Sequence, residues 1–221
     1  MHEPAFDQAS GLRRVMARVA PQRGVLLNLL GAGEHPLLLA RLSQAWSDAG
    51  LQLTVVTDFD PVFQAVQAHR RRFGLTILHA LELGMNRHAL ERLAQASDLT
   101  VLALDDNRLA RGMDLPCHAQ MVLSGISPES VATAYVRLKA GAGLGSPAEV
   151  CTLFDRVHES GPAVSAYQRL SQAASRFLGL RLSFAGVAPV ASGAAEWHAL
   201  ADSVHRWAGQ RVVEERSLAL H

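Results

Sequence analysis

The stretch between the first predicted strand and the first long helix has the layout of a phosphate-binding loop. The apolar run Val25–Leu30 predicts a buried strand, and Gly31–Pro36 connects it to an apolar helical run. Backbone N–H groups at such a helix N-terminus attract anions. This stretch has no lysine to neutralise a phosphate, and Glu34 and Pro36 respectively add a negative charge and remove an N–H donor. The pattern predicts a nucleotide-hydrolase type of fold without productive ATP binding.

Two further interpretations of this glycine-containing stretch are open. The Glu34 carboxylate can cap the helix that follows, as an internal substitute for a bound anion. Alternatively, Gly31 and Gly33 are simply the small residues of a plain turn.

Other carboxylates stand directly after predicted buried strands, where they could position Mg²⁺ and water. Asp58 and Asp60 follow the second strand, and Asp60 precedes Pro61 as a helix N-cap would. Without a competent phosphate loop, helix capping is the favoured role of this pair. Asp105 ends a later strand, where a strand-end turn or a pairing with Arg108 is favoured.

The composition excludes several other kinds of chemistry. The net charge of +1 gives no basis for general nucleic-acid binding. The ten histidines and two cysteines show no metal-ligand spacing, and Ser124-Gly125 lacks the flanking residues of a hydrolase nucleophile turn. No apolar run is long enough to span a membrane, and the start of the chain has no signal-peptide pattern. We therefore expect a cytoplasmic protein without a metal site.

Buried strands and helices alternate along most of the chain, which predicts an α/β fold with a doubly wound, mostly parallel sheet flanked by helices. The predicted strands are 25–30, 52–57, 75–78, 99–104, 120–124, 150–154 and 181–187. The predicted helices are 7–20, 37–49, 60–72, 86–96, 128–140, 163–178 and 197–208. We expect an N-terminal helix and linker over 1–23 and one α/β domain over 24–221.

The last helix has one apolar face that contains two tryptophans. Its apolar residues recur at helical spacing and include Trp197, Leu200, Val204 and Trp207. Helices that lie on a membrane surface usually have a strongly basic polar face, whereas this polar face carries both signs of charge. Packing against the sheet is the favoured interpretation, and contact with a membrane surface is the alternative.

Five segments between residue 7 and about residue 190 form a combined sequence pattern: Asp7–Arg13, Ser127–Lys139, Leu153–Val157, Arg169–Leu180 and Gly186–Pro189. In this order they resemble segments of the FlhG family (also called YlxH or FleN). These proteins are MinD/ParA-like regulators of bacterial flagellar number and placement. The resemblance implies the MinD/ParA-like P-loop NTPase fold.

This chain departs from the family at its nucleotide site. The family's loop contains two lysines and a threonine, which bind phosphates and Mg²⁺, and none has a counterpart between Leu30 and Leu37. Asp155 stands where the family has an asparagine at an adenine-reading position, and an ionised carboxylate can only accept hydrogen bonds. We expect no cofactor and a pseudo-ATPase, while binding of ATP and Mg²⁺ belongs to the alternative of an unconventional ATPase.

The N-terminal signature of the family is retained. The resemblance implies a helix that contacts the GTPase FlhF and places a glutamine, here Gln8, near its catalytic site. Asp7, Ala9, Leu12 and Arg13 complete the expected contact segment. The expected function is therefore a flagellar regulator that acts through FlhF and other flagellar assembly or transcription factors. It would work in the cytoplasm or be recruited to the cell pole or inner membrane.

Overall fold

The computed structural model describes residues 24–68, 74–81, 87–105, 117–142, 149–155, 160–190 and 193–218. The predicted helix over 7–20, with Asp7, Gln8, Ala9, Leu12 and Arg13, lies outside the described residues.

Within the described residues the chain forms seven strands and six α-helices. The strands are β1 (Val25–Leu30), β2 (Leu53–Thr57), β3 (Leu75–His79), β4 (Leu99–Ala103), β5 (Ala119–Ser124), β6 (Glu149–Phe154) and β7 (Arg181–Val187). The helices are α1 (Pro36–Asp48), α2 (Asp60–Gln67), α3 (Arg87–Ala96), α4 (Pro128–Ala142), α5 (Ser160–Leu178) and α6 (Ala194–Leu218). The predicted strands, and all predicted helices from α1 onward, are present. Most of their ends differ from the predictions by five residues or fewer, but α6 continues ten residues beyond the predicted end at residue 208.

The strands form one parallel sheet in the order β3-β2-β4-β1-β5-β6-β7. The five inner strands of the sheet (β2, β4, β1, β5 and β6) are buried almost throughout, because helices cover both faces of the sheet. Helices α1, α2 and α6 pack on one face, while α3, α4 and α5 pack on the other. The doubly wound architecture is therefore confirmed.

The central position of β1 determines where a site can form. The chain leaves β1 toward β2 and β3, returns to β4 beside β1, and then continues on the other side with β5. In sheets of this kind, ligands bind beyond the carboxyl ends of the strands where the winding direction reverses. Gly31, Asp58, Asp105 and Asp155 all lie just beyond the carboxyl ends of their strands, and therefore at this edge.

The apolar face of α6 packs against the sheet. Leu200 and Val204 are buried in the same core as α1, while Trp197 and Trp207 are partly buried against it. The indole N–H of Trp46 in α1 donates a 2.8 Å hydrogen bond to the carbonyl of Ala201 in the middle of α6. This placement agrees with the favoured packing interpretation. None of the described helices combines the length and the apolar character that crossing a membrane requires.

Candidate functional site

The turn that follows β1 has a geometry that its glycines allow. Gly31 has a φ of 82°, in the left-handed region that glycine adopts without strain. Ala32–Glu34 form one turn of 3₁₀-helix, and α1 begins at Pro36. Pro36 occupies the first helical turn, where the missing N–H costs least.

Glu34 pairs with an arginine from a distant helix. Its Oε1 lies 2.5 Å from Nη2 of Arg137 in α4, and its Oε2 lies 3.2 Å from Nη1. The arginine side chain is only 10% exposed, whereas that of the glutamate is 59% exposed. Hydrogen bonding from Arg137 lowers the pKa of Glu34 below its ordinary value, against the opposing effect of burial. The carboxylate is therefore ionised at neutral pH.

The alternative in which Glu34 caps the following helix is wrong. His35 occupies the N-cap position of α1, and no side chain caps that end through a hydrogen bond. The Glu34 carboxylate contacts α4 on the opposite face of the sheet, because the charged guanidinium there is a stronger partner than a backbone N–H group.

A contact between a histidine and a carboxylate lies beside this ion pair. Nδ1 of His35 is 2.8 Å from Oδ2 of Asp155, which directly follows β6. Both side chains are about nine-tenths buried, with exposures of 12% and 10% respectively. Asp155 therefore uses one carboxylate oxygen within the protein, at the position where the resemblance implies an adenine-reading residue.

The residues that follow β2 and β4 are joined by a hydrogen bond from backbone to side chain. Oδ1 of Asp58 accepts a 2.9 Å hydrogen bond from the backbone N–H of Asp105. The prediction that Asp58 caps a helix is wrong, because the N-cap of α2 is Phe59 and has no side-chain cap. Asp60 is the first residue of α2 rather than its N-cap, and its Oδ1 lies 3.6 Å from Nε2 of His79. The predicted partner of Asp105, Arg108, lies outside the described residues.

Two glycines of the loop allow close packing. A Cβ atom on Gly31 would lie 2.8 Å from Nη1 of Arg137, and one on Gly33 would lie 2.6 Å from the ring of Phe59. Real Cβ atoms do not approach their neighbours so closely. Glycine is favoured at 31 by the left-handed backbone and at 33 by the space that the ring of Phe59 occupies.

A cleft of about 310 Å³ opens at this edge of the sheet. Its lining consists of Gly31, Gly33, Glu34, Phe59, Asp105 and Arg137. Two of these residues are acidic and one is basic, so the lining carries an excess negative charge. Among the described residues, no three His, Cys, Asp or Glu side chains group together as metal ligands would.

Sequence reasoning identified the acidic members of this site but missed Arg137, Phe59 and the role of His35. An acidic residue in a phosphate-type loop suggests a basic partner nearby. The chain contains 21 lysines and arginines, however, and no spacing distinguishes Arg137 from the others. Its position in α4 becomes significant only once β1 and β5 are known to be neighbours.

Comparisons with known proteins identify the fold. No protein-family model and no curated protein matches the chain. The MinD cell division protein of Aquifex aeolicus superposes with a TM-score of 0.52 at 11% identity, over 84% of this chain and 97% of that one. A chain of the MinC:MinD cell division protein complex of the same organism gives a TM-score of 0.55 at 9% identity, over 84% of this chain and 96% of that one. Chloroplast FtsY of Physcomitrella patens gives 0.51 at 10% identity, over 81% and 65%.

At these identities the likeness concerns the fold alone. The all-parallel sheet of seven strands and the helices on both of its faces agree with it. The chain thus has the α/β fold of the MinD-like P-loop NTPases.

Proposed function

We propose that this chain is a non-hydrolysing regulator of the FlhG type, which acts through protein contacts and stimulates GTP hydrolysis by an FlhF-like GTPase. The observation that carries the non-hydrolysing part is the Glu34–Arg137 ion pair at the phosphate-type loop. The part that concerns FlhF depends on the Asp7–Arg13 signature.

The residues at the loop do not fit a nucleotide phosphate. The described cation in contact with Gly31 is Arg137, and its charge is already balanced by Glu34. Pro36 has no N–H to donate, and Asp105 adds a further negative charge to the cleft. A nucleotide phosphate would have to displace the ion pair and then approach these carboxylates.

The proposed activity belongs to the N-terminal segment. A glutamine amide can orient the attacking water and contact the γ-phosphate in a GTPase, which is the role we assign to Gln8. Asp7 would cap the helix, Ala9 and Leu12 would contact the partner through apolar surface, and Arg13 would pair with an acid on it. The α/β domain would then serve as the scaffold that carries this segment.

Action through protein contacts is compatible with the fold. One of the similar structures is a MinC:MinD complex, in which a protein of this fold is assembled with a partner. We propose that other flagellar assembly or transcription factors bind the domain in a comparable manner. Recruitment of the regulator to the cell pole would then follow from its partners.

GTP hydrolysis by the cognate FlhF tests the proposal. The rate is measured with FlhF alone, with this protein, and with its Gln8→Ala and Gln22→Ala variants. We expect the wild-type protein and Gln22→Ala to stimulate hydrolysis and Gln8→Ala to fail. Gln22 is the matched control because it lies in the N-terminal region but outside the signature. Equal stimulation by both variants, or none by the wild type, would contradict the proposal.

An unconventional ATPase is the second candidate, and the Asp58–Asp105 contact is the observation that favours it. Both carboxylates lie at the carboxyl edge of the sheet, where Mg²⁺ would be expected if backbone N–H groups of residues 31–37 held the phosphates. Calorimetric titration with MgATP decides between the candidates. A saturable heat that Asp105→Asn abolishes would support the ATPase, and no heat would exclude it.

A further inference from the structure

We infer that Glu34 is a built-in anion that closes a latent binding site for phosphate-type anions, with Arg137 as the cation of that site. The inference deepens the proposed function, on which it depends, because it explains how the loop remains closed to nucleotide. The two residues, Glu34 and Arg137, can be substituted without changing the N-terminal signature.

The contact has the geometry of anion recognition. Both carboxylate oxygens of Glu34 face terminal nitrogens of Arg137, at 2.5 and 3.2 Å. A guanidinium binds a carboxylate or a phosphate through the same planar fork of donors. Glu34 thus presents to Arg137 the same pair of oxygens that a phosphate-type anion would present.

The fold holds the cation in place while the anion remains near solvent. Arg137 is nine-tenths buried, and its Nη1 occupies space that a Cβ atom on Gly31 would approach to 2.8 Å. Glu34 is more than half exposed and belongs to a single short turn. Of the two partners, the glutamate is therefore the one that can be removed while the other keeps its place.

The charges of the cleft make Glu34 decisive. With Glu34 present, the lining of the cleft has two carboxylates, Glu34 and Asp105, against the single guanidinium of Arg137. Without Glu34, one carboxylate and one guanidinium remain, and the fork faces a cleft of about 310 Å³. An anion that enters would then replace the lost carboxylate.

Calorimetric titration with pyrophosphate tests the inference on the full-length protein. The proteins compared are the wild type, Glu34→Gln, Glu34→Gln/Arg137→Gln, and Glu91→Gln. Glu91 is the matched control because it pairs with Arg87 on the surface of α3, far along the chain from the loop. We expect Glu34→Gln to bind pyrophosphate at least about tenfold more tightly than the wild type, equivalent to about 1.4 kcal/mol. The double variant and Glu91→Gln should behave like the wild type.

Three outcomes would overturn the inference. They are equal binding by the wild type and Glu34→Gln, no binding by a folded Glu34→Gln protein, and binding that survives the loss of Arg137. Circular dichroism and thermal unfolding establish that each variant is folded, and Glu34→Ala replaces the glutamine variant if that one does not fold. Stimulation of FlhF is measured on the same proteins. Glu34 lies outside the signature. If only the anion-site inference is wrong, the wild-type protein still stimulates FlhF. If the proposed function is wrong, the wild-type protein does not stimulate FlhF.

Discussion

Nη1 of Arg137 lies 2.8 Å from the position that a Cβ atom would occupy on Gly31. The two residues are joined by proximity in space, since α4 follows β5 and Gly31 follows the neighbouring strand β1. The glycine therefore satisfies two requirements at once, a left-handed backbone and room for the guanidinium.

Replacement of Gly31 separates these two requirements. Gly50 has a similar φ of 86°, but no atom lies within 4 Å of its virtual Cβ. We expect Gly50→Ala to lower the free energy of unfolding by about 1–2 kcal/mol, the usual cost of a left-handed non-glycine residue. Gly31→Ala should cost clearly more, because it also displaces Arg137. Urea denaturation measures both, and equal losses would show that the guanidinium moves aside freely.

Gly33 gives a test without backbone strain. A Cβ there would lie 2.6 Å from the ring of Phe59, so Gly33→Ala should cost about 1–3 kcal/mol through overpacking. In a double-mutant cycle with Phe59→Ala, much of this cost should disappear, as coupled neighbours show. Gly161→Ala is the control, since its Cβ meets nothing within 4 Å and it lies in α5. Additive losses for Gly33 and Phe59 would contradict the close contact.

The fold could be predicted from the sequence because its signals are local. Runs such as Val25–Leu30 and Leu99–Ala103 are apolar except for Asn28 and Thr100. They are buried on both faces, as parallel strands require. The stops between them are equally local, as at Gly50, whose φ of 86° ends the turn after α1. Order along the chain and periodicity were sufficient for these elements.

The site was predictable only in part, because its contacts are long-range. Asp58 and Asp105 were found because each follows a strand, and parallel strands bring their carboxyl ends to one edge. The partners of Glu34 and His35 lie 103 and 120 residues further along the chain. Such pairs depend on the strand order, which the local pattern does not contain.

The packing of α6 against α1 can be tested at the buried hydrogen bond that the indole of Trp46 donates to α6. Trp46 is 1% exposed and donates to the carbonyl of Ala201, so Trp46→Phe should lower the free energy of unfolding by about 1–3 kcal/mol. Trp207→Phe is the matched control, because the Trp207 indole nitrogen is buried without a hydrogen-bond partner. We expect the smaller loss for Trp207, measured by urea denaturation. An equal or larger loss for Trp207 would mean that the hydrogen bond of Trp46 contributes little to the stability.

We expect His205 on α6 to make the stability of the fold dependent on pH. Its Nε2 is buried without a hydrogen-bond partner, and burial lowers its pKa below the ordinary value of 6.5 despite the nearby carboxylates of Asp202 and Asp98. Below pH 6.5 the unfolded chain therefore binds a proton at this residue more readily than the folded chain does. The free energy of unfolding should then fall as the pH is lowered below 6.5. Well above pH 6.5, His205 is neutral in both states and its effect on stability vanishes.

The variant His205→Leu should remove this dependence. We expect its free energy of unfolding to change less between pH 7 and about pH 5.5 than that of the wild type, in urea titrations at each pH. This pH interval lies above the range in which protonation of Glu34, whose pKa is lowered from 4.5, begins to change the stability. His88→Gln serves as the control, because His88 is 90% exposed and its removal leaves the buried site intact. If His205→Leu retained the full slope, the acid sensitivity would have to arise from other residues, and the prediction for His205 would be wrong.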